Sequence, residues 1–423
     1  MRKKLFTTAV SLVLAGLIPN VCADVKTATE LGVGARSYAF ANNSVALSND
    51  FSAAYWNPAA LSFMPVREFQ IALDGFSFQS TQELSGTSVY DDLQRLRLAN
   101  TGLLVALPTS RGGFSLAGFF FNPVLFDDVV SFKGTAITGA YSTDIDRTYK
   151  SSGGLRQWGA SFGIQVAPGT GVGASLSLVT GSEKSNHYYR KLTNGLVNQD
   201  SVFYHDFIET GKDGYIGYDL RAGLLYKYGD NLNFGLRVVA PQVIAFHEDI
   251  DHLTEGTNYE YESTGRLYSS LSMAGGAALT LPFMTVSLEA RGKAPYRFLF
   301  PTEEIPLTSQ ARYFKTGAGV GIEVPVLIAP LVARAGYSFD EYDLHPYIVR
   351  YDGDQENDPA VWSDEEEVVD RNLNTITGGV GIITGNVSLE FSYGYQTWSL
   401  TTRKTLHQEF AIHRLLAALS IRY

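Results

Sequence analysis

The first candidate for chemistry is a serine between two glycines, in the pattern Gly159-Ala-Ser161-Phe-Gly163. This spacing matches the nucleophile elbow of hydrolases, in which the serine sits on a sharp turn between a strand and a helix. Here the motif follows Trp158 and precedes Ile164, inside a run that alternates like a strand and leads into no helical pattern. We therefore predict no catalytic residues and no enzymatic activity.

A glycine run at Gly317, Gly319 and Gly321 has the look of a dinucleotide-binding motif. It too alternates within a strand-like run, whereas a dinucleotide site requires a strand followed by a turn and a helix. Small residues on the inner face of a strand would leave room for a segment packed against it. The sequence therefore predicts no cofactor.

Potential metal ligands are densest in the acidic stretch 352–367. Alternating carboxylates bind Ca²⁺ in calcium loops, but Asn357 stands where such a loop needs glycine. The seven histidines are scattered without ligand spacing. We predict no metal site and interpret 352–367 as a solvated extracellular loop. Whether divalent cations bridge it to lipopolysaccharide stays open.

The first 23 residues have the parts of a secretory signal peptide. A basic start precedes the apolar core Leu5–Ile18, and Val21-Cys22-Ala23 offers small residues for cleavage. Cleavage would remove the only cysteine, which excludes disulfides and thiolate metal sites. Losing three basic residues takes the net charge from −10 to about −13, which argues against a nucleic-acid partner.

The rest of the chain alternates apolar and polar residues, as strands between two environments do. In Ala411–Tyr423, Leu415 and Ile421 lie on one face while Arg414 and Ser420 lie on the other. Apart from the signal peptide, no run reaches the ~18 to 20 apolar residues of a membrane helix. A charge on a lipid-facing strand at mid-membrane costs ~2 to 4 kcal/mol, so the polar set must face inward.

Fourteen strand-like runs follow the N-terminal region, and short turns alternate with long connections. The runs cover 67–81, 96–107, 113–122, 157–167, 171–186, 214–228, 231–246, 265–281, 284–298, 312–324, 329–340, 374–384, 386–400 and 410–423. An even strand number with short periplasmic turns is typical of bacterial outer-membrane barrels. The sequence predicts an all-β fold, with a 14-stranded antiparallel transmembrane barrel over 66–423 and both termini in the periplasm.

The inner face of this barrel would carry charges of both signs, which are expected to pair with one another or with the N-terminal segment. The acidic members are Asp219, Glu289, Glu323 and Glu390, and the basic members are Arg221, Arg237, Arg291 and Arg334.

Three motifs before the first strand resemble the N-terminal segment of the FadL/TodX family: Gly32-Val-Gly34-Ala-Arg36, 45–50, and Trp56-Asn57-Pro58-Ala59. These proteins are outer-membrane transporters of long-chain fatty acids and other hydrophobic compounds. The same motifs are similar to the related PorV-like barrels, which serve protein secretion. The resemblance implies that 24–65 is a hatch plugging the barrel, with gating residues Gly32, Gly34, Arg36, Asp50, Asn57 and Pro58.

Several strand ends are apolar on both faces. These positions are Phe119, Phe120, Phe121, Leu125, Phe126, Val243, Phe246, Phe298 and Phe300. An aromatic girdle at the membrane interface explains any single one of them, but runs that are apolar on both faces need a second partner. We predict that they bind a hydrophobic ligand. Asn122-Pro123 breaks the third strand, and the family resemblance implies a kink there that opens the wall sideways.

The expected function is passive transport of hydrophobic molecules, such as long-chain fatty acids or aromatic hydrocarbons, with lateral release through the barrel wall. The alternative is a PorV-like protein-interaction role in secretion. Expected partners are the hydrophobic ligand, outer-membrane lipid and lipopolysaccharide, and the barrel-assembly machinery through the strand ending at Tyr423. We expect a monomer in the bacterial outer membrane.

Overall fold

The computed structural model describes residues 29–47, 50–138, 141–195, 202–254, 257–295, 314–326, 330–341, 348–351, 372–402 and 406–423. Four features named above lie outside these residues: the signal peptide Met1–Ala23, Phe298, Phe300 and the acidic stretch 352–367.

Fourteen antiparallel strands make up the described barrel, and three of them are interrupted. Their bounds are β1 Arg67–Leu84, β2 Thr87–Leu107, β3 Phe114–Leu125 and Asp128–Thr138, β4 Tyr141–Ala167, β5 Thr170–Gly195, β6 Val202–Tyr228, β7 Leu232–Val239 and Val243–Thr254, β8 Thr257–Tyr268 and Ser272–Leu281, β9 Met284–Lys293, β10 Lys315–Val326, β11 Leu331–Glu341, β12 Asn372–Thr384, β13 Val387–Thr402 and β14 Leu406–Arg422. Two short strands lie beside them, Thr29–Glu30 and Ile348–Tyr351.

Each strand pairs with its neighbour in sequence, and β14 returns to pair with β1. This closing ladder runs without interruption from Leu406–Leu84 to Arg422–Glu68. The predicted closed barrel of fourteen antiparallel strands is thus confirmed.

The two faces of the strands differ as the alternation predicts. On β14, Leu415 is 56% exposed on the outside, whereas Arg414 and Leu416 are buried inside. On β13, Phe391 and Tyr393 are exposed, while their polar neighbours are buried. The outward side chains are apolar on strand after strand, as a lipid-facing surface requires, and the barrel is of the transmembrane type.

The prediction of long loops at 82–95, 123–156, 187–213 and 247–264 is wrong, because strands fill most of these ranges. β1 and β2, for example, continue to a tight turn at Ser85-Gly86, where both residues have positive φ. These parts alternate less clearly in sequence because both faces of a strand beyond the membrane can carry polar residues.

The N-terminal segment, residues 29–64, runs through the barrel interior. It contains helix α1 (Ala35–Ala39), helix α2 (Ala53–Trp56) and a 3₁₀-helix (Pro58–Phe63). The 3₁₀-helix contacts β4, β5 and β6, while α1 contacts β12, β13 and β14. Most of its described side chains are buried. Within the described residues, none of the helices is long and apolar enough to span a membrane.

Candidate functional site: a broken seam beside a charged cavity

The ladder between β2 and β3 is incomplete. Their ladder, here called the β2–β3 seam, begins at Leu107–Phe114 and stops at Asn100–Phe121. On its other side, β3 shifts register against β4 between Phe121 and Val124. Pro123 has no N–H to donate, so a regular ladder cannot continue through this position.

Beyond the break, β3 stays paired with β4 over Asp128–Thr138 but bends across the inner faces of β1 and β2. Ser80 Oγ donates to the Val129 carbonyl at 2.6 Å, and the Ser131 N–H donates to the Asp91 carboxylate at 2.8 Å. The predicted kink residues Asn122 and Pro123 lie at this point. The Asn122 side-chain amide donates across the seam to the Leu98 carbonyl at 3.3 Å.

The N-terminal segment covers the edge that β3 exposes. Thr29 pairs with Leu125 and Glu30 with Val124, in antiparallel register. The Leu31 N–H then donates to the Pro123 carbonyl at 2.8 Å. The backbone groups that β2 no longer satisfies are therefore bonded by the chain's own N-terminal strand, Thr29–Glu30.

The predicted ligand-binding residues separate into several groups. Phe119 and Phe121 stack at 4.3 Å between ring centroids and pack against the N-terminal segment. Leu125 packs with Leu31 in a second cluster. Phe120 faces outward, with its ring 4.4 Å from that of Trp158.

Phe126 and Phe246 belong to a third cluster, in which both rings lie next to Tyr215, at 5.3 and 6.3 Å. Val243 alternates with the buried Ile244 and so points to the opposite face. The structure thus brings Phe126 and Phe246 together but sets Phe120 and Val243 apart from them.

The predicted hatch residues lie where the N-terminal segment turns or meets the wall. Gly32 and Gly34 both have positive φ. A Cβ on Gly32 would lie 2.6 Å from the Trp56 ring, so no other residue fits there without movement. Asp50 accepts the Ser52 N–H at 2.9 Å.

Asn57 and Pro58 fix the start of the 3₁₀-helix against β6. The Asn57 amide donates to the carbonyls of Val45 at 2.7 Å and Leu224 at 3.1 Å. Inner-face glycines make room for this contact, since a Cβ on Gly223 would lie 2.1 Å from Asn57 Oδ1. The motif serine Ser161 belongs to the same surface: its neighbour Ser175, at 2.8 Å, donates to the Ala54 carbonyl.

Two charge networks tie the N-terminal segment to the wall. Arg36 donates twice to Glu323, at 3.0 and 3.2 Å, and Glu323 also accepts from Arg334, which in turn pairs with Glu390. These inner-face charges pair with one another and with the segment, as expected.

The second network is centred on Arg414 of β14. Its guanidinium bonds both carboxylate oxygens of Asp74 at 3.0 Å, and it donates to the carbonyls of Leu31 and Gly32. Arg97 joins from β2, 3.1 Å from Asp74. The closing strand therefore holds the N-terminal segment next to the strand that covers β3.

A cavity of about 230 Å³ lies beside the N-terminal strand. Its charged wall combines Glu30, Arg221, Arg237, Arg291, Lys293, Lys315, Asp340 and Glu341. Val124, Leu155 and Val179 form an apolar wall near the break in β3. A pocket with these two walls suits a ligand that has both apolar and polar parts.

Glu30 reaches into this cavity. Its carboxylate accepts from Tyr55 Oη at 2.8 Å and lies 3.8 Å from Lys293 Nζ. Burial in the barrel raises the pKa of Glu30, but nearby Lys293, Arg221 and Arg237 outweigh it and lower the pKa to about 2. Glu30 is therefore charged at neutral pH. Sequence reasoning missed it, because a two-residue strand has no periodic signal.

The fold resembles several solved transporters over nearly its whole length. The toluene transporter TodX of Pseudomonas putida is 16% identical, with 93% of this chain and 99% of that chain covered and a TM-score of 0.63. A FadL homologue of Pseudomonas aeruginosa is 13% identical over 93% and 99%, with a TM-score of 0.61. The toluene transporter TbuX of Ralstonia pickettii is 14% identical over 93% and 98%, with a TM-score of 0.57.

The chain has the FadL/TodX-type barrel fold. No family model matches the sequence, and no curated protein matches it. The fold resemblance implied by the three N-terminal motifs is thereby confirmed, at a level of identity where the three-dimensional structure carries the likeness.

Proposed function

We propose that the protein allows hydrophobic molecules to diffuse passively across the outer membrane and releases them sideways through the barrel wall. The observation that carries this proposal is the β2–β3 seam: the wall ladder stops at Asn100–Phe121, and a strand of only two residues covers the exposed edge. In this proposal the N-terminal segment 29–64 is the hatch. An apolar ligand then avoids the charged interior, in which it gains little.

The apolar clusters and the cavity support a path in three steps. A ligand enters among the outer hairpins, packs near Phe126 and Phe246, and reaches the cavity beside Val124. Movement of the N-terminal strand then exposes the gap next to Asn122 and Pro123. We further propose that both termini are periplasmic, that the strand ending at Tyr423 guides assembly, and that the outer hairpins contact lipopolysaccharide.

The test is uptake of radiolabelled toluene and decanoate by cells that lack their own transporters for these compounds. We expect faster uptake of at least one compound with the protein than with an empty vector, and no added energy requirement. If neither compound is taken up faster with the protein than with the empty vector, and stable partner proteins co-purify with the barrel, the secretion role is supported instead.

A further inference from the structure

The outer face of the barrel changes character where β4, β5 and β6 leave the apolar belt. Their outward side chains are apolar up to the exposed rings of Trp158 and Tyr218. Aromatic side chains of this kind are enriched at the edge of the hydrocarbon layer of a membrane. Beyond these rings, the outward positions of the three strands carry four exposed cations, here called the basic patch: Lys150, Arg156, Lys184 and Lys212.

The strand ladders bring these four side chains onto one surface. Lys184 and Lys212 are direct partners across β5 and β6. Lys150 opposes Asn186 on β5 and is therefore the diagonal neighbour of Lys184, while Arg156 lies on the same face of β4, closer to the aromatic edge. Like charges placed directly opposite each other destabilise a sheet, so this arrangement favours an external anion.

None of the four cations forms an ion pair with a carboxylate within the described part of the chain. Lys133 on β3 differs from them, because its Nζ lies 3.2 Å from the Asp146 carboxylate. The chain is acidic overall, with 43 Asp and Glu against 33 Lys and Arg, so a basic cluster without acidic partners runs against its composition. These cations remain available to a partner outside the chain.

Carboxylates on the same outer face are set to one side of the basic patch. Asp249 on β7 opposes Lys212, but its carboxylate lies 3.0 Å from His247 on its own strand. At the usual strand spacing, β7 and β8 lie about 10 Å or more from Lys184, beyond the ~8 Å Debye length of physiological salt. The other outward carboxylates of these two strands are Asp251, Glu260 and Glu262. The surface is therefore basic on β4 to β6 and acidic on β7 and β8.

We propose that the basic patch binds the phosphate groups of lipopolysaccharide, and that this lipid is held on the β4–β6 side of the barrel rather than evenly around it. The position of the patch selects the partner, because side chains on the lateral face just beyond the apolar belt meet the headgroups of the surrounding lipid. Lysine and arginine bind phosphate by charge-assisted hydrogen bonds. This inference rests on the membrane orientation that forms part of the proposed function.

The test compares lipid A, the phosphorylated anchor of lipopolysaccharide, with lipid A from which both phosphates have been removed. Binding to the full-length protein in an uncharged detergent is measured by native mass spectrometry. We expect Lys184→Gln/Lys212→Gln to bind phosphorylated lipid A about tenfold more weakly than the unchanged protein, because each lysine beside an anionic headgroup contributes several-fold. The affinity for the dephosphorylated lipid should stay the same.

Arg67→Gln/Arg111→Gln is the matched control, since it removes the same charge from two exposed positions at the opposite end of the barrel. We expect no change in its affinity for phosphorylated lipid A. Lys184→Arg/Lys212→Arg keeps the charge and should keep the affinity of the unchanged protein.

The proposal is overturned if Lys184→Gln/Lys212→Gln binds phosphorylated lipid A as tightly as the unchanged protein, or if the control variant loses as much affinity. The orientation is checked with Ser85→Cys, in the turn between β1 and β2 at the same end of the barrel. A membrane-impermeant maleimide should label it on intact cells, and labelling only after permeabilisation would also overturn the proposal.

The uptake assay separates this proposal from the transport function. Lys184→Gln/Lys212→Gln should take up toluene at the rate of the unchanged protein, because the basic patch lies on the outside of the wall. Failure of the unchanged protein to take up toluene and decanoate would remove the transport function without changing the lipid A measurements.

Discussion

Two neighbouring parts of the wall solve the same problem differently. The closing seam, from Leu406–Leu84 to Arg422–Glu68, keeps its backbone ladder over the full length of β14. The β2–β3 seam stops at Asn100–Phe121, and the N-terminal strand then pairs with β3 in place of β2. A closed barrel leaves no free edge, and here one edge of the wall is paired with the N-terminal strand and not with a neighbouring wall strand. An unbroken ladder and a ladder completed by the N-terminal strand thus occur in the same wall.

The sequence explains this contrast. β14 contains no proline, so every N–H that faces a neighbour can be donated. β3 contains Asn122-Pro123 and then apolar residues on both faces. These residues find partners only if the strand turns inward, against the N-terminal segment and the inner face of β1.

The strongest challenge to this comparison is a covalent lock across the covered edge. Thr29 and Leu125 face each other directly in the ladder, at a spacing that suits a disulfide. In Thr29→Cys/Leu125→Cys, oxidation should abolish uptake of decanoate, because the N-terminal strand can no longer leave. Reduction should restore uptake.

The control lock is placed at the closing seam, where Gln82 and Gln408 are direct partners. Uptake by oxidised Gln82→Cys/Gln408→Cys should match the unchanged protein. If both locks stop uptake, or if neither does, the two seams are equivalent in function.

Pro123→Ala should have the next largest effect. The substitution restores an N–H where β2 and β3 part, so the seam can extend and the gap narrows. We expect uptake to fall several-fold while the thermal midpoint rises or stays constant. Pro282→Ala, in the turn before β9, is the control, and an unchanged rate for Pro123→Ala would argue against the kink.

Asn122→Ala should have the opposite and smallest effect. It removes the amide that bridges to the Leu98 carbonyl, a hydrogen bond expected to contribute about 1 kcal/mol. Uptake should rise, by no more than about fivefold, because the seam opens more easily. Hydrogen exchange at nearby β2 amides should become faster as well. Faster exchange with an unchanged uptake rate would show that the ligand does not pass through the β2–β3 seam.

The architecture was predictable because alternation and turn residues are local signals. The runs 67–81 and 410–423, for example, anticipate β1 and β14 closely. The extension of the strands into 82–95, 123–156, 187–213 and 247–264 could not be predicted, because strands beyond the membrane lack an apolar face. The break in β3 could be predicted from Asn122-Pro123, because proline has no backbone N–H to donate to the ladder.

The parts of the site that depend on distant pairing could not be predicted. Thr29–Glu30 is too short for any pattern, and its partner Val124 lies far along the chain. The charges Arg221 and Arg237 were identified as inner-face residues, but only the structure distinguishes the one paired with Asp219 from the one whose Nε lacks a partner.

The position of Arg414 has a consequence for the order of assembly. This residue is the main side-chain anchor of Leu31 and Gly32, yet it lies on the last strand to be synthesised. The backbone of Leu31 and Gly32 therefore gains these two hydrogen bonds only after the last strand has arrived. A barrel stalled before β14 inserts would lack its last wall strand and these bonds, and its N-terminal segment would keep only its contacts with other strands, such as Arg36 with Glu323.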